Sequence, residues 1–110
     1  MSLHLIYSHC HLDMIDLSRF DNSISSVLHQ AEDRQVTDFL SIAVDLESFS
    51  RTLAIAKQFD NIHTSVGIHP CHAPGQVITI DDLTGLADDD KVIAIGETGL
   101  DYYMNQGKDP

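Results

Sequence analysis

The sequence predicts an α/β protein built on a parallel sheet. Short apolar runs alternate with helical stripes in the order β-α-β-α-β-α-β, and such alternation implies parallel strands joined by helical crossovers. Polar clusters rich in His and Glu follow directly on three of those runs, at residues 9–13, 69–72 and 97–101. With 110 residues, 43% of them hydrophobic, the chain is expected to form a single domain over residues 1–110.

Leu5-Ile6-Tyr7-Ser8-His9 reads as the first strand. Asp21 or Asn22 offers an N-cap for the first helix, and Ile24, Val27, Leu28 and Ala31 make its apolar stripe. Phe39 to Val44 is a nearly continuous apolar run, as in a strand covered on both faces. Asp45 caps a second helix, with Phe49, Leu53, Ala56 and Phe59 as its stripe. Ile62 to Ile68 forms a third strand, after which Pro70 and Pro74 mark a loop. Thr79 with Asp82 resembles a capping box before a short helix carrying Leu83 and Leu86. Val92 to Gly96 is the fourth strand; Asp88-Asp89-Asp90 before it reads as a solvated turn, and Thr98 to Pro110 has no clear period.

Six Lys and Arg stand against 17 Asp and Glu, a formal net charge of −11. That argues against non-specific tracking along nucleic acid, which needs basic groups to neutralise phosphates. It leaves open a phosphate held at one local cation. No apolar stretch approaches the ~20 residues that span a bilayer, and Met1-Ser2-Leu3-His4 does not open a secretion signal. A cytoplasmic protein without membrane association is expected. The two cysteines, Cys10 and Cys71, form no disulfide framework and lack an evident neighbouring base, so both read as packing residues.

The seven histidines are more informative. In His9-Cys10-His11-Leu12-Asp13, strand alternation places His9 and His11 on one face and Cys10 on the other. Paired imidazoles suit Zn, Mn, Fe, Cu or Ni; the plain alternative is two surface histidines at a common spacing. Asp13 either orients a ligand or begins the loop. Glu97 sits at the end of the fourth strand between Gly96 and Gly99, and a carboxylate there has two oxygens with which to bridge two cations. His69 falls at the same level of the third strand. It pairs with His72 as a metal motif or, with Pro70 redirecting the chain between them, lines the pocket while His72 lies at the surface. Ligands of parallel α/β sheets bind at the carboxyl ends of the strands, so the three clusters point to one metal-centred site.

Ser8-His9-Cys10-His11-Leu12-Asp13, Gly67-Ile68-His69-Pro70 and Ala94-Ile95-Gly96-Glu97-Thr98-Gly99-Leu100-Asp101-Tyr102-Tyr103 resemble the TatD family of metal-dependent hydrolases, in the family's order. The resemblance runs from Leu5 to Tyr103. It implies the N-terminal half of a (β/α)8 TIM barrel of the amidohydrolase type, and a phosphodiesterase acting on DNA with two divalent ions (Mg, Mn or Zn). It also implies that His9 and His11 hold one ion, that Glu97 bridges it to a second and is catalytic, and that His69, Asp13 and Asp101 line the pocket. Tyr7 stands where the family usually has an acidic residue, and Met104-Asn105 where a basic residue often follows.

The family's two further strand-end histidines and late aspartate lie beyond this chain, so little or no hydrolysis is expected of the 110 residues alone. Open strand edges imply self-association or docking with a C-terminal half. Two other readings remain: a metal-binding module or fragment without turnover, and a barrel hydrolase acting on an amide, ester or lactone.

Overall fold

The structure, a computed structural model, describes residues 3–71 and 78–103. It contains β1 (Leu5–Cys10), α1 (Ile24–Glu32), β2 (Val36–Ser41), α2 (Leu46–Gln58), β3 (Ile62–Val66), α3 (Ile80–Ala87) and β4 (Val92–Ile95). The four strands form one parallel sheet in the order β1-β2-β3-β4. Alternating apolar runs and helical stripes therefore produce the expected α/β order. Among the described residues, no helix is long and apolar enough to cross a membrane.

The helix stripes fill the space on one side of the sheet. Ile24, Val27, Leu28 and Ala31 of α1 pack on a buried cluster of Cys10, Leu12, Phe39, Ala56 and Ile62. A second cluster joins Ala43, Phe49 and Val66 to Leu53, Leu83, Ala87 and Val92. Burial is uneven across the sheet. Ile62, Thr64, Ser65 and Val66 of β3 are fully buried, whereas Ile6 of β1 is 68% exposed and Ile93 of β4 is 61% exposed.

Several boundaries differ from the sequence expectation for local reasons. The cap of α1 is Ser23, whose hydroxyl accepts from the Ser26 amide. Asp21 and Asn22 instead take left-handed φ angles of 54° and 56° in the preceding turn, a conformation their short polar side chains tolerate. Two 3-10 turns, Leu12–Met14 and Leu17–Arg19, occupy the stretch between β1 and α1. β2 begins at Val36 and ends at Ser41, so Ile42 to Val44 continue the apolar run outside the strand. β3 ends at Val66 and β4 at Ile95. Phe59 is the C-cap of α2 and not part of its last turn.

The reciprocal capping box forms at α2, between Asp45 and Ser48; at α3 the Thr79 hydroxyl accepts from the Asp82 amide. In the acidic turn, Asp89 pairs with Lys57 at 3.0 Å and accepts from the Lys91 amide. That amide bond, with the Lys57 contact, holds its carboxyl below the ordinary value. The expectations for His72, Pro74 and residues 104–110 lie outside the described residues.

Candidate metal centre

Five hydroxyl residues are buried, Ser41 at the end of β2, Thr64 and Ser65 in β3, and Ser48 and Thr52 in α2. Backbone groups that leave a ladder inside a protein need other partners, and these side chains supply them. The Ser41 hydroxyl accepts from the Leu12 amide, and the Ser48 hydroxyl from the amides of Val44 and Asp45. The Ser65 hydroxyl accepts from the Ala43 amide and donates to the Gly96 carbonyl at 2.7 Å. Thr64 donates to the Ser41 carbonyl and meets the Thr52 hydroxyl at 2.7 Å. Ser41, Thr64 and Ser65 interrupt predicted strands in the sequence and carry no functional signal there.

Upon that floor the end of β4 crosses the end of β3. The Gly96 amide donates to the Val66 carbonyl, but the Glu97 amide reaches one strand further, to the Ala43 carbonyl at 3.0 Å. The Gly96–Glu97 peptide is cis. Gly67 lies directly beneath: a Cβ there would stand 2.7 Å from both the Glu97 carbonyl oxygen and the Gly96 carbonyl carbon. No real side chain fits at that distance, so glycine is what permits the crossing.

On the other edge of the sheet, β1 carries a register irregularity between Tyr7 and Cys10. One extra residue on one strand of a pair re-aims the side chains beside it. His9 and His11 stand edge to face, with ring centroids 5.3 Å apart. Cys10 is buried among the helix-facing residues, and its thiol donates to the Leu40 carbonyl at 3.4 Å. Burial pushes that thiol up to about 11, which keeps it neutral and unreactive. Tyr7, His9 and His11 share a cleft of about 300 Å³ with Ile15, Val27 and Ala31.

The two edges meet at their carboxyl ends. One ligand atom from each of His9, His11 and Glu97 lies within 4.8 Å of the other two. A flat sheet would set its first and fourth strands about 14 Å apart, three steps of roughly 4.8 Å, so the approach needs curvature as well as side-chain reach. The arrangement fits a cation. His11 Nδ1 lies 2.9 Å from the Ile42 carbonyl; a carbonyl only accepts, so Nδ1 bears the hydrogen and Nε2 keeps its lone pair. Metal-ligating histidines are commonly fixed in this way. His9 Nε2 lies 3.8 Å from Glu97 Oε1, with side-chain exposures of 57% and 26%. The cluster is open to solvent.

The other candidate residues take different places. His69 Nε2 lies 3.9 Å from Glu97 Oε1, the same oxygen that His9 Nε2 approaches at 3.8 Å. Asp13 is not in the donor cluster. Its side chain is 1% exposed and pairs with Arg51 at 3.4 Å, while Arg51 also holds Glu47 at 3.1 Å. Asp13 Oδ1 is buried without a hydrogen-bond partner among the described residues. Asp101 accepts from the Cys71 thiol at 3.0 Å and from the Tyr103 amide at 2.8 Å. The packing reading of Cys71 is thereby corrected: it is exposed and works through hydrogen bonds. The bond to Asp101 raises its thiol above the ordinary value.

A family model described as TatD related DNase matches residues 6–110. An uncharacterized metal-dependent hydrolase of Buchnera aphidicola is 39% identical over 101 residues, which is 92% of this chain and 38% of the relative. The uncharacterized metal-dependent hydrolase YcfH of Escherichia coli is 36% identical over 90% of this chain and 37% of its own length. The crystal structure of a TatD family hydrolase from Entamoeba histolytica superposes with a TM-score of 0.75 at 28% identity, covering 99% of this chain and 42% of that one. The chain thus spans about two fifths of the proteins it matches. Its four parallel strands correspond to the N-terminal half of their TIM barrel. Sequence, fold and family agree that this chain belongs to the TatD family of metal-dependent hydrolases.

Proposed function

We propose that the chain carries the first part of a divalent-metal centre that cleaves phosphodiester bonds in DNA. The convergence of His9, His11 and Glu97 from opposite edges of the sheet carries this reading, and the family's description as a DNase supports the substrate. His9 and His11 would hold one ion, and Glu97 would offer its carboxylate to that ion and to a second. Mg, Mn and Zn all suit such a mixed set. Cations there supply a lowered water pKa and offset charge on the phosphoryl group.

The chain's own residues do the positioning. Ile42 sets the His11 tautomer through its carbonyl, Ala43 anchors the Glu97 backbone, and Gly67 leaves room for the crossing. The excess of acidic residues favours short or single-stranded DNA ends over long duplex, because few basic groups can hold a duplex. The exposed apolar residues of β1 and β4 are the edges on which further strands dock, either a C-terminal half or a second copy.

The test is Mn²⁺ binding and single-stranded oligonucleotide cleavage, measured on this chain and on the longer protein that includes the remaining barrel. The expected result is binding by both, cleavage by the longer protein only, and loss of that cleavage by at least a hundredfold in Glu97→Ala. Cleavage that survives Glu97→Ala refutes the assignment.

A further inference from the structure

We infer that His69 is the hydrogen-bond donor of this centre, a positioning residue locked in the Nε2–H tautomer, and not one of its ligands. The inference rests on the metal-centre reading above and adds a role for the loops after β3 and β4. The Cys71 amide donates to His69 Nδ1 at 3.0 Å. A backbone N–H can only donate, so Nδ1 carries the lone pair and the hydrogen of the neutral ring sits on Nε2. That is the nitrogen 3.9 Å from Glu97 Oε1. His11 is set the opposite way, with Nδ1 donating to Ile42 and Nε2 left as a donor of electrons. Two histidines at one site are therefore given opposite polarity by the backbone: one faces the centre with a lone pair, the other with a proton.

The loop that sets His69 is itself held. The Cys71 thiol donates to Asp101 Oδ2 at 3.0 Å, and Asp101 Oδ1 accepts from Tyr103. Asp101 lies four residues after Glu97 on the same segment. One loop thus carries both the carboxylate that faces His69 Nε2 and the carboxylate that accepts from the Cys71 thiol. The arrangement ties the loop after β3 to the loop after β4, with His69 directed at Glu97 between them. The present distance is longer than a hydrogen bond, and such contacts commonly tighten only in the liganded state. The chemical outcome is that Glu97 Oε1 has one lone pair oriented by His69 and presents the rest of its capacity to the cation.

The experiment is long-range ¹H–¹⁵N NMR of the histidine rings at about pH 8.5, some two units above the ordinary imidazole value, without metal. It is followed by Mn²⁺ titration of the unaltered chain, His69→Gln, His69→Ala and His11→Ala. The expected spectrum shows His69 as the Nε2–H tautomer and His11 as the Nδ1–H tautomer. His69→Gln places an amide N–H where Nε2 stood and keeps Mn²⁺ affinity within about threefold. His69→Ala weakens it by about tenfold, the lower end for loss of a partner that orients a ligand, and His11→Ala weakens it more. An Nδ1–H tautomer at His69, or a Gln variant as weak as the Ala variant, overturns the inference. An unaltered chain that binds no Mn²⁺ overturns the metal centre instead, and the tautomer then decides the polarity of His69 by itself.

Discussion

The two middle strands and the two outer strands of this sheet do different work. β3 is buried along nearly its whole length, whereas residues 5–9 of β1 are all exposed and β4 alternates between half-buried and exposed positions. Yet the donor cluster comes from the outer pair and the residues that follow them: His9 in β1 with His11 just after it, and Glu97 just after β4. The middle strands and the segments after them contribute what holds those donors still, namely the Ile42 and Ala43 carbonyls, the Ser65 hydroxyl and the bare Gly67 backbone. Reactive side chains sit where a ligand can reach them, and their orientation is fixed by groups that solvent cannot reach.

Phe39→Ala strikes the middle of the sheet. Phe39 is 5% exposed in the larger cluster, and the loss is expected at about 3–5 kcal/mol. Urea unfolding measures it, and a cost below about 1 kcal/mol would break the contrast. Gly67→Ala strikes the crossing. The new methyl meets the Gly96–Glu97 backbone, so overpacking costs about 2–3 kcal/mol. The Glu97 carboxylate shifts as well, so Mn²⁺ affinity falls at least tenfold. If affinity holds while stability drops, the crossing does not place Glu97.

A third test is alkaline titration. Cys10 stands at about 11 in the folded chain against 9.0 when free. The unfolded chain therefore loses its proton first, and stability, complete below pH 9, falls as pH rises toward 11. The loss is up to about 3 kcal/mol, and Cys10→Ala removes that slope; a slope unchanged in the variant assigns it elsewhere. The smallest effect is expected at the edge. Ile6 is 68% exposed, and Ile6→Ser changes stability by no more than about 0.5 kcal/mol. A cost above 1 kcal/mol would show that β1 is covered in solution, and sedimentation would tell whether a second copy covers it.

The strand order and the three polar clusters were legible because both depend on contiguous residues: an apolar run, then His or Glu. The hydroxyl floor was not legible. Ser41, Thr64 and Ser65 look like interruptions of apolar runs until the strands diverge and leave amides to satisfy. The α1 cap was misplaced for a related reason. Asp21, Asn22 and Ser23 are all good caps, and only the left-handed turn at the first two selects the third. Cys71 and Asp101 are 30 residues apart, and no local pattern announces such a pair.

The curl that brings His9 and His11 to Glu97 also makes this centre a gauge of the sheet's shape. Any occupant that grips both the first strand and the segment after the last binds the curved sheet and not a flattened one. Occupancy and curvature then share one free energy. A cation at a hundred times its dissociation constant would brace the bend by about 2.7 kcal/mol. A mutation that only relaxed the bend, far from any donor atom, would register as weakened affinity.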